Sequence, residues 1–340
     1  MRILYGVCGD GFGHSSRAMV VGRYLEDWGH EVKIMTYGRA FEVLKDKFDV
    51  FEVSGMEMQF VRGELKKRAT LRYNAKITAE NLFKWRRFRD LMKTYGPELC
   101  ITDMEPIVPI LRFLYDKPLI CIDNQHRITH LKLHVPKKYY ADYLMAKTVV
   151  ENFVAKANHF IITSFSEGEI KRPDTTLVPP VIRDEVRNSQ PLSGHKILVY
   201  LTRENQAVLD TLKQFHEEFV VFGYNVNEKE DNLEFRVRDY FLEELKACKA
   251  IIATAGFTLM SEALYLKKPY LALPLKGQFE QVLNALFLKQ AGYGTYSDDL
   301  QAMEVSEFLV NQDSYLKKLI DYELDFNKLP NTLKSVMDRL

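Results

Sequence analysis

From the first residue, short apolar runs alternate with stretches whose apolar residues recur every three to four positions. Residues 2–7 read as a buried strand, and residues 15–28 place Ala18, Val21, Leu25 and Trp28 on one helical face. Further strands are predicted at 31–36, 49–53, 98–102, 118–122 and 159–163, with helical patterns between them. Such alternation means a parallel sheet, because a parallel neighbour is reached only by a crossover. The pattern breaks over 171–195, where Pro173, Pro179, Pro180 and Pro191 fall, and this stretch reads as an extended interdomain segment. It then restarts, with strands at 196–201, 218–222, 233–237, 250–254 and 270–273 and helices at 204–215, 239–248, 258–266 and 278–290. Residues 303–340 read as mostly helical. The expected architecture is α/β, two units of similar size in tandem. Two parallel sheets facing a central cleft would present the carboxyl ends of their strands there, where open sheets of this kind bind ligands.

Length and composition agree with that picture. A chain of 340 residues suggests two domains, and 46% hydrophobic with 27% charged residues is ordinary for a soluble globular protein. A net charge of +1 gives no footprint of a nucleic-acid binder. The charge is uneven: residues 1–170 carry 26 Lys+Arg against 21 Asp+Glu, and residues 171–340 carry 21 against 25. Cys8, Cys100, Cys121 and Cys248 form no CxxC pair, which excludes a zinc ribbon and a thioredoxin-like motif. The apolar run at the N-terminus is too short for a signal-peptide core, and no run approaches the length of a membrane span. A cytoplasmic, reduced protein is expected.

The first turn reads Gly6-Val7-Cys8-Gly9-Asp10-Gly11-Phe12-Gly13-His14. Glycines permit a tight turn, and the helix that follows aims unpaired N–H groups at the loop. A dinucleotide fingerprint would need a third glycine where His14 stands and an acidic residue where the second strand ends in Thr36-Tyr37-Gly38. His14 lies at the carboxyl end of the first strand, where a helix begins. It reads alone as a loop or capping histidine. Asp103, in Thr102-Asp103-Met104-Glu105-Pro106, falls at another strand's carboxyl end and could fix the tautomer of His14, or it could cap a helix before Pro106. No GxSxG elbow accompanies the pair.

The second half carries Ile251-Ile252-Ala253-Thr254-Ala255-Gly256-Phe257-Thr258-Leu259-Met260-Ser261-Glu262, a strand running through a small-residue turn into a helix. N–H groups at Phe257, Thr258 and Leu259 would suit a diphosphate, and Glu262 one turn further in could reach a ribose diol. Downstream come Pro269 to Pro274 and then Gln278-Phe279-Glu280-Gln281-Val282-Leu283-Asn284-Ala285. In these blocks the sequence resembles the two-domain GT-B glycosyltransferases that use nucleotide-diphosphate sugars. Within them it is similar to the branch that holds MurG and the UDP-glycosyltransferases (the family 28 C-terminal-domain type). The likeness spans nearly the whole chain, with its specific motifs at 6–18 and 250–292.

The resemblance implies two Rossmann-like domains, an acceptor-binding one over 1–185 and a donor-binding one over 186–340, with the last helix returning to the first. It implies His14 as base with Asp103 orienting it. Thr254, Gly256, Phe257 and Thr258 fall where the family binds the diphosphate, Glu262 where it binds the ribose, and Glu280 and Gln281 on the pair that holds sugar hydroxyls. Thr254 stands where many UDP-glycosyltransferases carry a histidine. Where MurG-like members have a Gly-Gly-Ser turn, this chain reads Leu201-Thr202-Arg203-Glu204-Asn205, so Thr202 or Arg203 is the candidate phosphate contact. Gly11, Gly13, Asn124, Gln125 and His126 fall on the acceptor side. The implied reaction is inverting transfer, with a UDP-sugar as the expected donor, to a hydroxyl that is lipid-linked or part of a cell-envelope glycan. No resident cofactor or metal is expected, since no Asp-x-Asp motif is present.

Two further features stand beside this reading. His126, His130 and His134 recur every four residues, but on a helix the outer two would lie about 12 Å apart and could not share an ion. They read equally as an acceptor-side loop or an ordinary polar one. Residues 62–93 hold 11 Lys+Arg against three acidic residues, with Phe83, Trp85 and Phe88 among them. That stretch suits a peripheral contact with anionic lipid at the inner face of the cell membrane, an anionic acceptor, or a solvated basic helix. The alternatives to transfer are an epimerase acting on UDP-N-acetylglucosamine, and a non-catalytic glycan- or lipid-binding protein on the same scaffold.

Overall fold

A computed structural model describes residues 1–340 apart from 57–59, 62, 63, 66, 155, 191 and 193, and leaves out the side chains of 60, 61, 64, 65, 67 and 71 as well. The start of the basic stretch 62–93 thus lies in part outside the described residues. The chain divides into two units, Met1–Val181 with Asp325–Leu340, and Ile182–Leu324.

The first unit holds β1 (Arg2–Val7), β2 (Glu31–Thr36), β3 (Asp49–Glu52), the short β4 (Phe60–Val61) and β5 (Glu64–Leu65), β6 (Leu99–Asp103), β7 (Leu119–Asp123), β8 (His159–Thr163) and β9 (Thr175–Val178). Seven of them make one sheet in the order β3-β2-β1-β6-β7-β8-β9, every neighbour parallel. Central strands of such a sheet are covered on both faces, which is why β6 and β7 read as unbroken apolar runs and are wholly buried. Alternation along β1 sends Ile3, Tyr5 and Val7 to one face, against Ala18, Val21 and Leu25 of the helix Phe12–Asp27 and Leu329, Leu333 and Val336 of the helix Lys328–Met337. Leu4 points the other way, to Phe88, Leu91 and Met92 of the helix Trp85–Thr94 and Val108 and Leu111 of the helix Ile107–Leu114.

The stretch 171–195 departs from its sequence reading as an extended connector. It contains β9, parallel to β8, and a short helix at Asp184–Arg187. Thr175-Thr176-Leu177-Val178 is rich in β-branched residues, and Pro179 and Pro180 end the strand at once. Prolines therefore mark the boundaries of an element here, not its absence.

The second unit has β10 (Ile197–Tyr200), β11 (Phe219–Phe222), β12 (Glu228–Glu230), β13 (Leu233–Phe235), β14 (Ala250–Thr254), β15 (Tyr270–Leu273) and β16 (Gly294–Tyr296). Their order is β12-β13-β11-β10-β14-β15-β16, parallel except for β12 against β13. The sequence pattern missed β12 and β16: each has three residues, and Glu-Lys-Glu offers no apolar side chain. In both sheets the chain winds outward from the first strand and then returns to its other side. The switch falls between β1 and β6 in the first unit and between β10 and β14 in the second.

Candidate functional site

In the first unit the switch point gathers four polar side chains, two from the helix after β1, one from the end of β6 and one from the loop after β7. Register pairs Val7 with Asp103, so the chain leaves β1 beside the end of β6, and the Cys8 N–H donates to the Asp103 carbonyl at 3.0 Å. Two glycines shape the turn. A Cβ on Gly9 would lie 2.1 Å from the Tyr37 carbonyl oxygen, and Gly11 has φ +84°. The helix starts at Phe12, three residues before the sequence pattern suggests, so His14 sits in its first turn. No acidic residue stands in that turn, and no side chain caps it. Gly13 lies in the same turn.

His14 Nδ1 is 2.7 Å from Asp103 Oδ1. Arg17 Nε donates to Asp103 Oδ2 at 2.8 Å and Arg17 Nη2 to Oδ1 at 2.7 Å. Arg17 Nη1 donates to Asn124 Oδ1 at 3.3 Å. Asp103 is fully buried and Arg17 4% exposed, while His14 is partly exposed. Burial works against the Arg17 charge, but Asp103's charge and hydrogen bonds outweigh it and hold the guanidinium above its ordinary value. Arg17 escaped sequence reasoning, although its spacing of three from His14 puts both on one helical face.

The loop after β7 divides. Asn124 joins this network, and the Gln125 amide oxygen accepts from the Asn124 N–H. His126, expected on the acceptor side, lies inside the packing at 1% exposure. Its Nδ1 is 2.6 Å from Asp123 Oδ2, and its ring packs on Phe160 and His130. An apolar strand, β8, faces it and draws the ring inward. Burial pushes the Asp123 carboxyl up, yet His126 and Arg17 bring it below the usual carboxylate range. Burial lowers His130 to about 4. The Cys121 thiol donates to Asp123 at 3.2 Å, which makes Cys121, Asp123 and His126 a compact hydrogen-bonded group.

The second unit's switch point is built around Thr254. Its hydroxyl meets that of Thr202, from the loop after β10, at 2.7 Å. Tyr270 donates to the Thr254 carbonyl and the buried Asn284 amide to the Ala255 carbonyl, both at 2.8 Å, which pins the turn from below. Gly256 precedes the helix Phe257–Tyr265, with no heavy atom within 4 Å of a Cβ placed on it. Met260 is the first residue whose N–H reaches back to the Gly256 carbonyl. The earlier amides of the helix, at 257–259, have no carbonyl four residues back within it. Thr258 stands in this first turn and Arg203 beside Thr202.

Glu262 does not present an open carboxylate. Arg183 Nε and Nη2 hold its two oxygens at 2.6 and 2.7 Å, and Glu262 is 1% exposed. Arg183 lies 79 residues away, beyond any local sequence signal. The Gln281 amide also turns inward on its own loop: its oxygen accepts from the Leu275 N–H and its nitrogen donates to Gln278 Oε1. Glu280 stands beside it in the first turn of the helix Phe279–Ala291.

Two α/β units, each with a mainly parallel seven-stranded sheet and a polar cluster at its switch point, define the architecture of GT-B glycosyltransferases. The model of the family described as Glycosyl transferase family 1 matches residues 1–312, and the chain belongs to that family; it is a glycosyltransferase. An uncharacterized glycosyltransferase of Methanosarcina acetivorans is 23% identical over 100% of this chain and 98% of its own length. Another from Methanosarcina mazei is 23% identical over 86% of this chain and 85% of its own. Among solved structures, the calicheamicin glycosyltransferase CalG4 aligns with TM-score 0.68 at 15% identity, covering 100% of this chain and 99% of that one. The glycosyltransferase VinC in complex with dTDP aligns with TM-score 0.62 at 14% identity, covering 99% of both chains. No helix among the described residues is long and apolar enough to cross a membrane.

Proposed function

We propose that the protein transfers a sugar, with inversion, from a nucleotide-diphosphate donor to a hydroxyl acceptor. The observation that carries this reading is the 2.7 Å contact of His14 with a buried Asp103 at the carboxyl end of the sheet. His14 takes the acceptor's proton as the oxygen attacks the anomeric carbon. The bond from that carbon to the diphosphate breaks, and the electron pair leaves with the nucleotide. In the second unit, Thr254, Gly256, Phe257 and Thr258 receive the diphosphate at a helix start, where fixed dipoles favour the growing charge. Thr202 and Arg203 lie on the neighbouring loop. Glu262 would serve a ribose only by exchanging its Arg183 fork for the diol, and Gln281, with Glu280, a sugar only by leaving its loop.

A UDP-sugar is the donor class we infer. The dTDP complex of VinC makes thymidine diphosphate the second class to try. The acceptor we infer is lipid-linked or a cell-envelope glycan, as in the MurG-like branch that the sequence resembles, and the protein would then work at the membrane's inner face. Leu82 and Phe83 are exposed at the end of the helix Lys67–Phe83, and Arg86 and Arg89 are exposed on the helix that follows, which supports such a contact.

The test is His14→Ala with a panel of UDP- and dTDP-sugars. Donor binding, read by calorimetry, should persist while transfer falls by about 10²-fold or more. Undiminished transfer would remove His14 from the reaction. Conversion of a donor without any acceptor would favour the epimerase reading.

A further inference from the structure

Asp103 receives more donors than a single orienting carboxylate needs. Arg17 covers both of its oxygens in a fork, and His14 Nδ1 shares Oδ1. Arg17 Nη2 also comes within 3.3 Å of His14 Nδ1. A planar guanidinium that holds both oxygens stops the carboxylate from turning about its bond to Cβ. Oδ1 therefore stays aimed at the imidazole. With both Asp103 oxygens accepting from the fork, the 2.7 Å contact assigns the proton between Oδ1 and the imidazole to His14 Nδ1. In the neutral ring, that leaves Nε2 bare. Arg17 is itself fixed twice, by its place one turn after His14 and by Asn124 from the loop after β7.

We propose that Arg17 is the positioning residue that sets the tautomer of His14. It is buried and acts through Asp103. The inference rests on the reading of His14 as the base, and deepens it by naming what makes that base ready.

The experiment uses the full chain labelled with ¹⁵N-histidine. Two-bond ¹H–¹⁵N spectra read the His14 tautomer in the wild type, Arg17→Met and Arg17→Lys, with His14→Ala assigning the signal. The wild type should show Nδ1–H alone. Arg17→Met should give mixed tautomers and a kcat lower by about 10²-fold, with the donor KM unchanged. Arg17→Lys keeps the charge without the fork and should fall between the two in both readouts. If the methionine variant does not fold, the lysine variant decides between the outcomes. A folded variant that keeps pure Nδ1–H and full kcat overturns the proposal. Mixed tautomers with unchanged transfer, in a protein whose His14→Ala form also still transfers, would sustain the positioning and overturn the base.

Discussion

The hydroxyls of Thr202 and Thr254 meet at 2.7 Å where the second sheet reverses its strand order, 52 residues apart in the chain. This pair joins the loop after β10 to the turn that opens the helix Phe257–Tyr265. Thr254→Val keeps the shape and removes the hydroxyl from a site only 5% exposed. Loss of one such bond, whose partner Thr202 can turn to water, should cost about 1 kcal/mol in denaturant unfolding. Nucleoside-diphosphate affinity by calorimetry should fall about tenfold if the turn holds the donor's phosphates, a loss of about 1.4 kcal/mol.

Gly256→Ala separates folding from binding. Its φ of −69° suits any residue, and no heavy atom lies within 4 Å of the added methyl. The melting temperature should stay within about 2 °C of the wild type, under 1 kcal/mol. The methyl would stand at the helix start where an anion must approach. Unchanged donor affinity in this variant would move the diphosphate elsewhere.

Asp103→Asn leaves the buried Arg17 without its hydrogen-bonded counter-charge. Breaking a buried pair on one side costs about 3–5 kcal/mol, which a urea titration would register. Transfer should fall with it, by at least about 10²-fold at equal folded fraction, because the amide can present an N–H to His14 and favour the wrong tautomer.

Glu105 makes stability depend on pH. Burial pushes its carboxyl up to about 7, against the Val108 and Ile107 N–H bonds that pull it down. The unfolded chain gives up that proton near the ordinary 4.5. Between those values the native state binds more protons than the unfolded one, so stability from this group falls as pH rises and levels off above 7. Glu105→Gln should therefore reduce the loss of unfolding free energy between about pH 5 and pH 7.5 by roughly 2 kcal/mol. Equal slopes in the two proteins would show that Glu105 is ionised throughout.

Arg183 and Glu262 lock a segment of the second unit to its helix. Arg183 is 37% exposed, so water screens the pair from one side. Arg183→Met should cost about 1–3 kcal/mol, chiefly by leaving the buried Glu262 carboxylate alone. The double variant with Glu262→Gln should recover much of it, which a double-mutant cycle would measure.

Hydrophobic periodicity was enough for the alternating strands and helices, because each central strand of a parallel sheet is a local apolar run and each helix keeps a 3.6-residue rhythm. It also put Asp103 at the end of such a run and His14 at the far side of the glycine turn that follows another. It failed where an element was short or polar, as at Glu228–Glu230 and Asp184–Arg187. It also failed for the inward turn of His126, which depends on Phe160 of another strand.

What the sequence alone determined is therefore the class of architecture and the residue types at each strand's carboxyl end. Tertiary structure decided which ends are neighbours. His14 and Asp103 are 89 residues apart and touch only because β6 returns to the free side of β1. The same long-range pairing brings Arg183 to Glu262 and seats Asp325–Leu340 in the first unit. Strand order follows from how whole faces bury together, and no local window of side chains carries that information.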